Sequence, residues 1–179
     1  MTYTVPLHST LSKEGIDLTA TYTIYDQTAA QSSTNSPDTP APPFTIGETC
    51  ESSNGGEFMF VKASSAISQY DFVGISTNYN AASLSTSTTA AAPVVGVAQV
   101  AIASGSAGWV CLRGGGVSGN VILSTPTAAA LYATTVPGYL DDTSFSSLQP
   151  KIDGVVCTTS RGTTNGSTAV LLSYPTVDI

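Results

Sequence analysis

The sequence predicts an all-β domain, a compact antiparallel β-sandwich or partly closed barrel, and three observations predict it. From residue 44 onward, short runs rich in Val, Ile, Tyr and Phe alternate with clusters of Gly, Asn, Ser and Asp. Turn signals recur about every 10–12 residues, the spacing of sandwiches and barrels. No amphipathic 3.6-residue period lasts beyond two turns. The expected strands are 44–50, 57–63, 71–76, 93–103, 108–114, 117–124, 131–134, 151–158 and 167–174. Ser53-Asn54-Gly55-Gly56 lies between two of them as a hairpin turn. Residues 125–133 could make one helical turn, with Pro126 at its first position. Gly114-Gly115-Gly116 reads as a tight corner where two strands meet. Alternation puts Trp109, Cys111 and Arg113 on one strand face and Val110 and Leu112 on the other. The expected core is Phe60, Tyr70, Val97, Trp109, Val155 and Leu171.

Composition divides the 179 residues into three parts. Residues 27–43 contain four Pro, one charge and no aliphatic side chain beyond Ala, the composition of an extended linker. Residues 1–26 precede it as a β-capable arm too small for a core of its own. Its apolar side chains, Tyr3, Val5, Leu7, Ile16, Leu18, Tyr22 and Tyr25, are expected to contact a neighbouring subunit. The third part, 44–179, is the β domain. Within it, segments 64–115 and 127–175 carry similar apolar motifs in similar order, which suggests an internal repeat.

Charge excludes several functions. Lys and Arg number five against twelve Asp and Glu, for a net charge of −7. So few cations cannot neutralise many phosphates, and nucleic-acid binding is not expected. No apolar run is long enough to cross a membrane as a helix, and the start MTYTVPLHST lacks the basic and apolar regions of a secretion signal. Ser and Thr total 50 residues, which makes smooth strand faces suited to packing against other subunits.

Catalytic and metal chemistry find little to work with. A Ser–His–acid triad would need His8, the one histidine, which lies in the arm beyond the linker. Cys50, Cys111 and Cys157 are too far apart in sequence for a compact zinc motif and read as core thiols. A Cys111–Cys157 bridge stays open for an oxidising setting. Asp141-Asp142 reads as a solvated turn rather than a calcium site. Asn165-Gly166-Ser167 reads as a hairpin turn rather than a glycosylation acceptor. The expectation is a non-enzyme with no catalytic residues, cofactor or metal.

The domain resembles the small β-rich decoration, or cement, proteins on the heads of tailed bacteriophages. The resemblance rests on Phe58-Met59-Phe60-Val61-Lys62-Ala63, then Tyr70-Asp71-Phe72-Val73-Gly74-Ile75 and Val95-Gly96-Val97-Ala98. It continues through Gly108-Trp109-Val110-Cys111-Leu112-Arg113-Gly114 and Asp153-Gly154-Val155-Val156, and leaves the arm unmatched. It implies a structural virion protein, made in the bacterial cytoplasm, that binds the outer surface of an assembled capsid. Its partners would be the major capsid protein and itself, commonly as a trimer, and its task would be to stabilise the expanded shell by bridging capsomers. Two alternatives remain at this stage: a minor coat or head-fibre base subunit, and a carbohydrate-binding module or adhesin.

Overall fold

A computed structural model of the chain describes residues 15–23, 42–89, 92–122, 126–143, 149–162 and 164–178. Among these, the protein is all-β and contains no α-helix. Eleven strands follow in order: β1 (Thr21–Thr23), β2 (Thr49–Glu51), β3 (Glu57–Ala63), β4 (Phe72–Ile75), β5 (Asn80–Ser83), β6 (Val94–Ala98), β7 (Ser106–Val121), β8 (Leu131–Ala133), β9 (Leu140–Asp141), β10 (Lys151–Cys157) and β11 (Gly166–Asp178).

The pairings close a five-stranded barrel. β3 pairs β5 in parallel, and β5–β4, β4–β6, β6–β7 and β7–β3 pair antiparallel. The same cycle then recurs four strands later along the chain. β7 meets β9 in parallel through the single pair Val121↔Leu140, and β9–β8, β8–β10, β10–β11 and β11–β7 pair antiparallel. Two rings of pairing therefore share β7, which serves as last strand of one and first strand of the other.

Side-chain alternation sorts the core between the rings. Val61 and Ala63 of β3, Val73 and Ile75 of β4, Ala81 of β5, Ala98 of β6 and Val110 and Leu112 of β7 form one buried cluster. It draws on all five strands of the first ring and is that barrel's interior. The opposite faces of the same strands present Phe58, Phe60, Phe72, Val95, Val97, Trp109 and Cys111 to a second cluster. There they meet Val121, Leu131, Leu140, Ile152, Val155, Val170 and Leu172 of the second ring. The rings join intimately at Gly119, where a Cβ would fall 2.6 Å from the Phe72 ring.

Several expectations are corrected. β7 is one strand of 16 residues, not two strands meeting at a corner. β11 pairs Val170 with Val117 but Leu172 with Gly114, so Leu171 stands opposite two residues, Gly115 and Gly116. That is a β-bulge, and the φ angles of +129° at Gly114 and +75° at Gly116 suit glycine there. β5 and β9 were not expected. Both are short, and each supplies the parallel pairing that completes its ring. Residues 44–48 form turns rather than strand, with Glu48 N–H donating to Thr45 O at 2.9 Å. Instead of a helical turn after Pro126, Ala128 sits in a turn at φ +58° and β8 follows. Asn165 ends a longer loop, in which the Arg161 guanidinium donates to Thr164 O at 2.9 Å and Ser167 O at 3.1 Å. The Ser53–Gly56 turn does join β2 to β3, closed by Ser52 N–H donating to Gly56 O at 2.8 Å.

Candidate interaction surface

Of the expected core residues, Phe60, Val97, Trp109 and Val155 lie together in the cluster between the rings. Tyr70 and Leu171 do not. Tyr70 is half-buried at the barrel rim with φ +69°, and contributes through its backbone, donating to Ala98 O and accepting from Asn120 N–H. Leu171 is 45% exposed, because the alternation of β11 turns Val170 and Leu172 inward and Leu171 outward. Three apolar residues in a row had concealed which of them faced the core.

The arm is described in residues 15–23. Tyr3, Val5, Leu7 and Tyr25 lie outside the described residues. Ile16, Leu18 and Tyr22 are described, and all three pack on this chain's own core rather than standing free for a neighbour. Residues 15–23 form a strap over the first barrel. Asp17 Oδ1 accepts from both the hydroxyl and the N–H of Thr19, which folds the turn at its start and, hydroxyl first, lowers the Asp17 pKa. Leu18 is then 2% exposed. β1 continues antiparallel on β7 with Thr21↔Gly108, Tyr22↔Ala107 and Thr23↔Ser106. The Tyr22 ring meets Phe44 and Phe60 edge-on at 5.8 and 5.7 Å, and both of those rings pack on Trp109.

His8 lies outside the described residues. Cys50 is half-buried against the core, and Cys111 and Cys157 are buried thiols; burial pushes Cys111 up to about 12 and Cys157 up to about 11, which keeps both in the thiol form at neutral pH. Among the described residues, no group of three His, Cys, Asp or Glu is placed to hold a metal. A cavity of about 30 Å³ beneath Leu18, Phe58, Gln99 and Val117 has room for roughly one or two waters. A wider cleft of about 320 Å³ is lined by Ile16, Glu48, Cys50, Glu51 and Glu57.

Among the described residues, two exposed apolar side chains stand side by side. Val156 and Leu171 face each other directly across β10 and β11 and are 39% and 45% exposed. The bulge glycines lie alongside, Gly115 so close that a Cβ there would sit 3.6 Å from Leu171. At one end of this strip is a polar cluster. Arg113 reaches Glu51 at 3.4 Å and Glu57 at 3.9 Å, and its guanidinium lies 5.7 Å from the centre of the Tyr174 ring. The Tyr174 hydroxyl donates to Glu57 Oε2 at 2.6 Å, and that bond is the first cause of its raised pKa. Tyr174 holds φ +47°, so both it and Ser173 face outward. A flat apolar strip with a polar end, beside backbone uncovered by side chains, can receive another protein surface. Only residue parity, read with the bulge in place, could have found this pair in the sequence.

No known protein family matches the chain, and no characterised protein matches its sequence.

Proposed function

We propose that this protein is a non-enzymatic structural protein of a bacteriophage particle, decorating the outside of an assembled capsid and stabilising it. What supports the reading is the resemblance of the packing motifs from Phe58 through Val156 to those of head decoration proteins. The exposed Val156–Leu171 strip supports it as a surface for another subunit. In this reading the stabilisation is linkage: a protein that binds only the assembled lattice raises its stability by mass action, and bridging several capsomers slows release.

The test is sedimentation of native material through a density gradient. Hundreds of copies travelling with a megadalton particle, and leaving under mild denaturant while the shell survives, are the expected result. A few dozen copies or fewer would favour a vertex or fibre-base subunit. A free oligomer at the top of the gradient overturns the reading. Val156→Asp with Leu171→Asp should leave the domain folded and remove it from the particle.

A further inference from the structure

We propose that the strap of residues 15–23 is exchangeable between copies, so that the groove on β7 of one molecule accepts the strap of a second. The groove is specific and requires an occupant. Without a strap, the ladder edge at Ser106–Gly108 loses its partner and the Phe60–Trp109 cluster loses the Tyr22 ring that covers it. The 2%-exposed Leu18 side chain would leave a hole beside Phe58 and Cys111. The strap is therefore core material for whichever barrel it covers.

Nothing in these contacts requires the strap to come from the same chain. Eighteen residues separate Thr23 from Pro42. The two flanks of that connection meet in space when the strap docks at home, with the Tyr22 and Phe44 rings 5.8 Å apart. Drawn out at polyproline spacing it spans about 55 Å, enough to reach an adjacent molecule. Home and exchanged straps make identical contacts. Their free energies differ only in the effective concentration that tethering supplies, on the order of millimolar for a short tether. Exchange then sets in where neighbouring copies are that concentrated. If the decoration reading holds, a particle surface supplies such crowding and exchange would lace copies together, but the exchange itself stands apart from that reading.

Thr23 and Ser106 are register partners, and the Cα separation of an antiparallel pair, about 4.5–5.5 Å, suits a disulfide. The test mixes two full-length populations, an isotope-labelled Thr23→Cys variant and an unlabelled Ser106→Cys variant, then oxidises them. Mass spectrometry reads disulfide-linked peptides that join positions 23 and 106 across labelled and unlabelled chains. The expected result is a cross-chain link that rises from background at about 10 μM to a major species near 1 mM. A chain carrying both substitutions should close internally at the lower concentration. If the doubly substituted chain closes but the mixture gives no cross-chain link at either concentration, exchange is overturned. If the doubly substituted chain fails to close, β1 does not lie on β7 and the proposal falls with it. Free protein is used throughout, so neither failure touches the sedimentation test.

Discussion

The side-chain amide of Gln99 pairs with both backbone groups of Ser118, Nε2 donating to Ser118 O at 3.1 Å and Oε1 accepting from Ser118 N–H at 3.2 Å. Along the same edge of β7, Asn120 N–H donates to Tyr70 O and Ile122 N–H to Leu140 O, each at 2.9 Å. In the first ring, β2 extends the edge of β3 that β5 leaves open. On the corresponding edge of β7, one glutamine side chain stands where a strand would be and satisfies the backbone that the strand would have paired.

Gln99→Ala should therefore cost about 1–2 kcal/mol, because it strands a partly buried donor and acceptor together. Hydrogen exchange at the Ser118 amide should accelerate at the same time. Unchanged protection at Ser118 would mean that the pairing does not persist in solution.

Asp71 knits the two rings. Its carboxylate is 5% exposed and accepts from Ser68 N–H at 3.0 Å, the Ser83 hydroxyl at 2.7 Å and Asn120 Nδ2 at 3.1 Å. Asp71→Ala leaves those donors unpaired and should cost about 2–4 kcal/mol. A double-mutant cycle with Asn120→Ala should show coupling of about 0.5–3 kcal/mol. Additive effects would remove Asn120 from the network. Gly138→Ala should be at least as damaging, since its φ is +81° and a Cβ would sit 2.2 Å from the Asp71 carboxyl carbon.

Removing the strap should destabilise the barrel instead of merely weakening binding to a partner. Leu18→Ala should cost about 2–4 kcal/mol by the lost transfer energy and the hole it leaves. Trp109, fully buried, should cost about 3–5 kcal/mol as Trp109→Ala. Its Nε1 has no hydrogen-bond partner among the described residues, so Trp109→Phe should cost roughly 1–2 kcal/mol. Chemical denaturation of the full chain checks all three. A Trp109→Phe cost equal to that of Trp109→Ala would reveal a polar contact of the indole.

Asp141, buried in β9, has its pKa raised, first by burial and then by a hydrogen bond with the Asp142 carboxyl. The folded state then holds this proton more tightly than the unfolded chain. Asp141 favours folding below the ordinary carboxylate range, and that contribution disappears as pH rises through its raised pKa. Asp141→Asn should therefore melt higher than the parent at neutral pH, with the gap narrowing as pH falls through the carboxylate range. The comparison of the two chains cancels the titration of carboxyls that do not touch Asp141; Asp142, its hydrogen-bond partner, is not among them. A gap independent of pH would show that Asp141 is not held protonated by folding.

Alternation within single strands was legible from sequence. In 108–112 it separated Val110 and Leu112 from Trp109 and Cys111. Turn residues marked the β2–β3 hairpin. The all-β class followed from both, because strand period and turn chemistry are local properties of a few neighbouring residues.

Everything that depended on a distant partner was decided by the tertiary structure. A Gly-Gly-Gly run permits a corner or a bulge, and only the pairing of β11 against β7 selects the bulge at Gly114–Gly116. Parity says that Val170 and Leu172 share a face and Leu171 takes the other, but not which of those faces a neighbour covers. Leu18 and Tyr22 look like a free arm until β7, Phe44 and Phe60, 22 to 90 residues away, assemble beneath them. Burial is a relation between segments, fixed when rings close and cores merge, whereas the two-residue period and the turn residues can be read within one segment.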